Sequence, residues 1–209
     1  YQFARTEATI NSRSAAAEKL WLSLTSQGEN FARTVMKPID TLSRNALSLA
    51  TEKVPNNNVR KMNLENLKIG DFWINQVGDL RIPLPTINQL KISLDGNYSS
   101  VPRIISVDPV IQISSSGISL PKIMKVFLTD GSRHKMLLKG SSDDLRQDAI
   151  MEQVFEKVNT ILRNDKETRK RDLKIRTYKV VPLGPQAGMI EFVANSIALS
   201  DILRPLHSE

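Results

Sequence analysis

Residues 139–155, KGSSDDLRQDAIMEQVF, decide the fold prediction, because an apolar strand ends there and an amphipathic helix begins. The run before it, Lys135–Leu138, is typical of a short strand. Beyond it, apolar residues recur at helical spacing and are expected to bury one face of the helix. These residues are Met151, Val154, Phe155, Val158, Ile161 and Leu162.

Acidic residues cluster at the start of this helix. Either Ser141 or Ser142 is expected to cap it, with the pair Asp143–Asp144 in the first turn, where the helix dipole favours anions. Asp148 lies one turn further on the same face, so that carboxylates can converge on the Lys139 ammonium. Kinases position a triphosphate with such a lysine and helix acid. On these residues alone, an ordinary strand-to-helix junction with an exposed lysine is the simpler interpretation.

Composition sets broad limits on the function. The 209 residues can form one large domain or two small ones, and the net charge of +7 indicates affinity for phosphates, nucleic acid or acidic partners. The absence of cysteine excludes disulfides and thiolate zinc sites. The sequence has neither a membrane-spanning apolar run nor a signal-peptide pattern. Because it opens at Tyr1 without a methionine, we expect a piece of a longer protein.

The first part of the chain has a helical pattern. A helix is predicted over Ser12–Gln27 and is expected to end at Gly28. A second apolar stripe runs from Phe31 to Leu49, and Pro38 is expected to kink or break it. Two such helices cannot bury both their faces alone, so we expect the end of a larger helical array.

The pattern weakens between Thr51 and Pro85, where the run Pro55–Asn58 indicates an exposed turn. We therefore predict terminal helices over 1–62, a linker over 63–84 and a second domain over 85–209. Trp73, with its apolar neighbours, is expected to pin the linker to one of the two domains.

Short strands dominate the second domain. The pair Asp130–Gly131 predicts a tight hairpin, because glycine accepts a positive φ. The fold class is therefore α+β, in which the end of an α-helical solenoid precedes a kinase-like small lobe with an antiparallel sheet and one main helix. A turn is expected over Pro182–Gly188. The predicted strands are Leu90–Leu94, Arg103–Val107, Val110–Ile113, Ile123–Leu128, His134–Leu138, Leu173–Val181 and Met189–Val193.

Several runs together resemble the phosphatidylinositol-3-kinase-related protein kinases, and in particular the ATM branch with its fungal telomere-maintenance kinases. The resemblance covers roughly residues 66–204, and the opening helices resemble the end of the FAT domain that precedes this kinase domain. The runs are SLPKI at 119–123, KG at 139–140, DDLRQDAIM at 143–151, ETRKR at 167–171 and TYKVVPL at 177–183.

The resemblance implies an ATP site. It assigns Lys139 to the nucleotide phosphates, and Asp148 together with Asp143 to orienting that lysine. One additional serine in the pair Ser141–Ser142 departs from the family pattern and affects the Asp143 pairing most. The remaining implied positions are Tyr178 at the back of the pocket, Pro121, Leu137 and Ile190 as apolar walls, and Glu191, Phe192 and Val193 as the hinge.

A serine-rich turn between two predicted strands, Ser114–Gly117, is placed to cover phosphates with its hydroxyl and backbone N–H groups. Ser115 and Gly117 are therefore included among the candidate ATP-binding residues. The turn lacks the glycines of the known phosphate loops, so an ordinary turn remains the simpler interpretation.

The family's catalytic and metal-binding loops are absent from this sequence. Phosphoryl transfer needs those loops to hold magnesium and accept the hydroxyl proton. The resemblance implies that they lie in a large lobe outside the chain, so this chain has no catalytic residue and no metal ligand of its own. We expect it to hold ATP, with Mg²⁺, as part of the complete enzyme.

The resemblance further implies a nuclear kinase that phosphorylates Ser/Thr-Gln sites in DNA-break signalling and telomere maintenance. The implied partners are its own large lobe and helical solenoid, a second copy in a homodimer, a DNA-break sensor complex and protein substrates, but no membrane. A phosphoinositide lipid kinase, or a non-catalytic helical scaffold with a degenerate nucleotide fold, remains an alternative. The basic segment 163–176 is either a DNA or acidic-partner contact or, more simply, a solvated connection.

Overall fold

The computed structural model describes residues 32–55, 58–87, 94, 97–114, 119–140, 144–197 and 199–207, and isolated positions between 11 and 22. The chain divides into two compact units, residues 1–43 and 44–209. Most of the helix predicted over Ser12–Gln27 and most of the strand predicted over Leu90–Leu94 fall outside the described residues. The domain boundaries at 62 and 84 stay predictions.

The second helical stripe forms a π-helical turn, Ala32–Met36, followed by the regular helix α1, Lys37–Thr51. Pro38 is the second residue of α1, directly after the π-helical turn, so the change from π-helix to α-helix falls next to the proline at which a kink or break was expected. In the last turns of α1, Ala46, Leu49 and Ala50 are buried.

Seven strands in the described part of the chain form one antiparallel sheet. Its main path runs β1-β3-β4-β5-β7-β6, and β2 pairs with β4 beside that path. The hairpin of β4 and β5 is its centre, with Met124 opposite Met136, and both are buried. The strands are β1 Lys61–Asn63, β2 Ile104–Val107, β3 Val110–Ile113, β4 Lys122–Leu128, β5 Arg133–Gly140, β6 Val180–Gly184 and β7 Ala187–Glu191.

The prediction of an α+β fold is confirmed, but the last hairpin is shifted along the chain. Residues 173–179 lie outside any strand, so the strand predicted over Leu173–Val181 is wrong for most of its length. The turn of this last hairpin is at Pro185–Gln186 rather than over the whole of Pro182–Gly188. The strand after the turn, β7, ends at Glu191 rather than at the predicted Val193. The physical reason is that side chains of the main helix bind the backbone of residues 175 and 178, as described below.

The main helix α2, Leu145–Asn164, has Asp144 as its N-cap, with the side chain accepting a hydrogen bond from the Arg146 N–H. The expected serine cap is therefore wrong, because Asp144 takes the extended cap conformation and the helix begins at Leu145. A short helix α3, Lys166–Lys170, follows α2 and is capped by Asp165. Helix α4, Leu199–Leu203, follows the sheet.

The face that α2 buries differs from the expected one. Its buried residues are Leu145, Glu152 and Asn159, which recur every seven positions along one side. Met151 and Val154 are exposed, and Ile161 is 66 % exposed, because the sheet contacts α2 along the Leu145 side. The prediction therefore identified the helix but placed half of its apolar stripe on the wrong face.

The segment expected to be a linker contains regular structure. After β1 come a 3-10 helix, Leu64–Asn66, a π-helical turn, Phe72–Gln76, and a second 3-10 helix, Val77–Leu80. Trp73 is completely buried and packs edge-to-face on Phe72, with ring centroids 5.1 Å apart. No helix among the described residues combines the length and apolar character needed to cross a membrane.

The β4–β5 turn supports a prediction. Gly131 has a φ of 81°, and nothing lies within 4 Å of the position its Cβ would take. Replacing Gly131 with alanine should therefore destabilise the hairpin through backbone strain alone, by about 1 kcal/mol. Gly131→Asn should destabilise it less, because asparagine tolerates this conformation. Amide exchange of the β4–β5 hydrogen bonds in the two variants measures the difference, and equal exchange in both would contradict the interpretation.

Candidate functional site

Eight of the twelve sequence-predicted residues meet in a cleft of about 310 Å³ between β5, β7, the following hinge residues and the first turn of α2. The volume is at the lower end of the range found for ligand pockets. Leu137, Lys139, Asp148, Tyr178, Ile190, Glu191, Phe192 and Val193 line it, together with Ser196.

Strand alternation directs Lys139 into the cleft. Met136 and Leu138 point into the core and are completely buried, so Leu137 and Lys139 face the opposite side of β5. Lys139 is also paired with Gly188 on β7, so that no side chain stands opposite it. Its own side chain is 23 % exposed, which leaves the ammonium accessible within the cleft.

Asp148 faces Lys139 from the first turn of α2. The Lys139 Nζ lies 3.9 Å from the Asp148 Oδ2, and the aspartate side chain is 45 % exposed. This separation is at the outer limit of an ion pair. Asp148 therefore attracts the Lys139 ammonium, while the N–H donors of that ammonium are not used in a short hydrogen bond to the carboxylate. The pair therefore presents an oriented cation with donors available for an anionic ligand.

Asp144, the other acid in the described part of this helix start, does not compete for Lys139. The Asp144 carboxylate accepts hydrogen bonds from the Arg146 guanidinium at 2.6 to 3.1 Å, in addition to capping the helix. The side-chain and backbone hydrogen bonds from Arg146 lower the pKa of Asp144, so this carboxyl stays ionised. Asp148 is thus the acid that α2 directs at the lysine.

Tyr178 closes the back of the cleft. Its side chain packs on a cluster formed by Leu145, Val180 and Ile190. Burial raises the pKa of the Tyr178 hydroxyl, and the carboxylates of Glu152 and Asp148 raise it further. The hydroxyl therefore remains a neutral hydrogen-bond donor at physiological pH.

Two buried polar residues on α2 position Tyr178, and the sequence analysis missed both. The Glu152 Oε2 accepts a hydrogen bond of 2.9 Å from the Tyr178 N–H. The Asn159 amide makes two hydrogen bonds to Ile175, donating to its carbonyl at 2.8 Å and accepting from its N–H at 2.7 Å. The sequence feature that could have identified them is that Glu152 and Asn159 are polar residues seven positions apart among the apolar residues of α2.

The hinge is held in place by its glutamate. The Glu191 side chain accepts hydrogen bonds from the Lys179 N–H at 2.9 Å and from the Arg176 guanidinium at 3.0 Å. The Lys135 ammonium lies 4.9 Å from the centroid of the Phe192 ring. One face of that ring is therefore occupied by a cation, and this leaves at most the other face for an adenine.

A second, larger cavity of about 540 Å³ adjoins the same hinge. It shares Glu191 and Phe192 with the cleft, but neither Lys139 nor Asp148 lines it. The smaller cleft is therefore the candidate site, because the lysine and the helix acid meet there. The basic residues around the larger cavity are Arg133, His134, Lys135 and Arg176.

Among the expected residues that the structure describes, Pro121 is the exception. Pro121 does not line the cleft, and its carbonyl instead accepts a hydrogen bond of 2.8 Å from the Ser114 N–H. Ser115, Gly117 and Asp143 lie outside the described residues. Ser196, which the sequence analysis missed, donates a hydrogen bond of 2.9 Å to the Val193 carbonyl.

The lining of the cleft suits a ligand that has an anionic part and an apolar part. An accessible ammonium suits phosphates, and the apolar side chains of Leu137 and Ile190 suit a base. Among the described residues, no group of three or more His, Cys, Asp or Glu side chains is placed to hold a metal.

Comparison with known protein families identifies the class of protein that this fold and cleft resemble. Residues 135–209, which include most of β5, α2, the hinge and α4, match the family described as phosphatidylinositol 3- and 4-kinase. Over these residues the chain is similar to this family, and the sheet with α2 has the fold of a kinase small lobe.

Within the family, the chain is similar to proteins named serine/threonine-protein kinase TEL1. It is 49 % identical to the one from Debaryomyces hansenii over 198 residues and 46 % identical to the one from Saccharomyces cerevisiae over 204 residues. These matches cover 95 % and 97 % of the chain, but only 6 % and 7 % of the two relatives.

Solved structures give the same assignment. The chain superposes with a TM-score of 0.84 and 39 % identity on a structure of the open conformation of CtTel1, covering 99 % of the chain and 8 % of its counterpart. It superposes with a TM-score of 0.82 and 41 % identity on the FAT and kinase domain of CtTel1, covering 94 % and 14 %. A complete CtTel1 dimer with C2 symmetry matches with the same score and identity, covering 94 % and 7 %.

Proposed function

We propose that this chain supplies the ATP-binding small lobe of an ATM-type serine/threonine protein kinase. The observation that carries the proposal is the Lys139–Asp148 pair, which faces across a cleft bounded by the hinge. The names of the relatives support the protein-kinase activity of the complete enzyme. On this proposal, residues 1–62 are the terminal FAT helices, 63–84 the linker and 85–209 the incomplete kinase domain.

The proposed work of the cleft is binding and orientation. The Lys139 ammonium holds phosphate oxygens, and Asp148 keeps that ammonium directed into the cleft. The backbone groups of Glu191 and Val193 face the adenine edge, while Leu137 and Ile190 exclude water from the base. Magnesium, when bound, neutralises charge on the phosphates, and its protein ligands are proposed to come from the large lobe. This chain alone therefore provides half of an active site.

The wider role is a proposal for the complete protein. We propose phosphorylation of Ser/Thr-Gln sites in DNA-break signalling and telomere maintenance, in the nucleus and with a DNA-break sensor complex as partner. The C2-symmetric assembly of CtTel1 supports a homodimer. The TEL1 names of the relatives support the telomere role.

One experiment separates the two kinase functions. The complete protein is purified and given labelled ATP with either a Ser-Gln peptide or phosphatidylinositol vesicles, and an Ala-Gln peptide serves as the control. We expect label on the Ser-Gln peptide alone. Label on the lipid alone would replace the proposal with a lipid kinase, and no ATP binding at all would indicate a non-catalytic scaffold.

A further inference from the structure

A buried lysine lies outside the cleft, at the start of β4. Lys122 is only 3 % exposed, and its Nζ donates a hydrogen bond of 3.0 Å to the backbone carbonyl of Ala50. Burial lowers the pKa of the Lys122 ammonium, and the Glu52 carboxylate partly opposes this shift. A buried cation is unfavourable unless it is paired, so this contact compensates a substantial desolvation penalty.

The partner of Lys122 is the end of α1. Ala50 is the penultimate residue of that helix, and the last four carbonyls of a helix lack partners within it. These carbonyls carry the negative end of the helix dipole, which favours a cation. Lys122 thus acts as a capping group that joins α1 to the sheet from a position 72 residues further along the chain.

The same carbonyl also touches β5. A Cβ added at Gly140 would lie 2.6 Å from the Ala50 oxygen, so only glycine allows α1 to approach so closely. In the sheet, Lys122 stands opposite Leu138. Lys139 therefore lies between two residues that the end of α1 fixes, since Leu138 is the partner of Lys122 and Gly140 contacts Ala50 directly.

We propose that Lys122 is a positioning residue that clamps the C-terminal turn of α1 to β4 and β5, and thereby places Lys139 for the phosphates of ATP. This inference rests on the proposed ATP-binding function. The Lys139 and Asp148 charges are already 3.9 Å apart, so a small movement of β5 changes how the ammonium points into the cleft. Because Lys122 does not touch the cleft, it acts only through the backbone of the strand that carries Lys139.

The test uses the complete kinase with Lys122→Met, which keeps the length of the side chain but removes the donor. We expect the KM for ATP to rise about tenfold, because small misplacements of binding groups have effects of this size or larger. The KM for the peptide and kcat should each change by less than about twofold. A general loss of folded protein does not raise the KM for ATP while leaving these two constants nearly unchanged. Lys122→Arg, which retains a buried donor, should restore most of the ATP affinity.

Lys125→Met is the matched control. Lys125 is on the same strand, is 44 % exposed and pairs with Asp108 at 3.2 Å, away from the cleft. We expect its KM for ATP to equal that of the unchanged protein. An unchanged KM in Lys122→Met, or the same increase in Lys125→Met, would overturn the proposal.

If Lys122→Met does not fold, a measurement on the unchanged protein tests the proposal instead. If the end of α1 sets ATP affinity, ATP must in turn stabilise the end of α1, because coupling between two sites is reciprocal. ATP should slow amide exchange at residues 49–54 more than at residues 64–67, which belong to the 3-10 helix after β1 and are not part of the clamp. ATP binding without this selective protection would overturn the clamp alone, whereas no ATP binding would overturn the proposed function as well.

Discussion

Replacing Lys139 with methionine is expected to lower kcat/KM for ATP by at least about a hundredfold in the complete kinase. The reason is that Lys139 is the one ammonium among the described residues that line the cleft, and charge-assisted contacts to phosphate are among the strongest that a protein makes. Methionine keeps most of the side-chain volume, so the loss reports the charge. Steady-state phosphorylation at several ATP concentrations measures the effect.

Lys174→Met is the control for this prediction. Lys174 is exposed and pairs with Asp172 at 3.0 Å, outside the cleft, so its removal should leave kcat/KM unchanged. The kcat/KM of Asp148→Asn should lie between those of Lys139→Met and Lys174→Met, because this substitution removes the orienting charge and leaves the ammonium in place. A Lys139→Met enzyme with the full ATP affinity would place the nucleotide site elsewhere.

Replacing Asn159 with leucine is expected to release the segment 173–179 from α2. The substitution removes both hydrogen bonds to Ile175 and leaves a backbone donor and acceptor unpaired in a partly buried position. The expected loss is about 3 kcal/mol in the free energy of local opening. Amide exchange of Ile175 and Tyr178 in the complete protein measures it.

Thr160→Ala is the matched substitution on the same helix. Thr160 is exposed and bonds only within its own helix among the hydrogen bonds described, donating to the Glu156 carbonyl and accepting from the Arg163 guanidinium, so we expect the local opening energy to change by less than about 0.5 kcal/mol. If Asn159→Leu left the exchange of Ile175 as slow as in the unchanged protein, the two hydrogen bonds would not be what holds this segment.

Local sequence pattern was sufficient to predict that Lys139 and Asp148 lie close together. Lys139 was expected at the end of a strand and Asp148 on the following helix, one turn beyond Asp144, and the structure brings the two side chains together. The glycine of the Asp130–Gly131 turn has the positive φ that the sequence predicted. These features depend on few residues close together in the chain, which is why pattern alone identifies them.

Contacts between distant parts of the chain were not predictable in the same way. Glu152 and Asn159 are polar, so the periodicity of α2 was assigned to its apolar residues, and half of these proved exposed. The extended segment 173–179 was taken for a strand because its composition is typical of one, although its backbone bonds to side chains of α2 instead. Lys122 gave no local signal, because its partner is the carbonyl of Ala50.

The central claim is that ATP binds between Lys139 and the hinge, and an acyl-phosphate derivative of ATP tests it most directly. Such a probe transfers its acyl group to a lysine that lies beside the bound phosphates, and peptide mass spectrometry of the complete protein then identifies the labelled residue. We predict acylation of Lys139 that excess ATP suppresses, with no ATP-sensitive label on Lys135, which lies beside the hinge in the second cavity. ATP-sensitive labelling of Lys135 with Lys139 unlabelled would contradict the account.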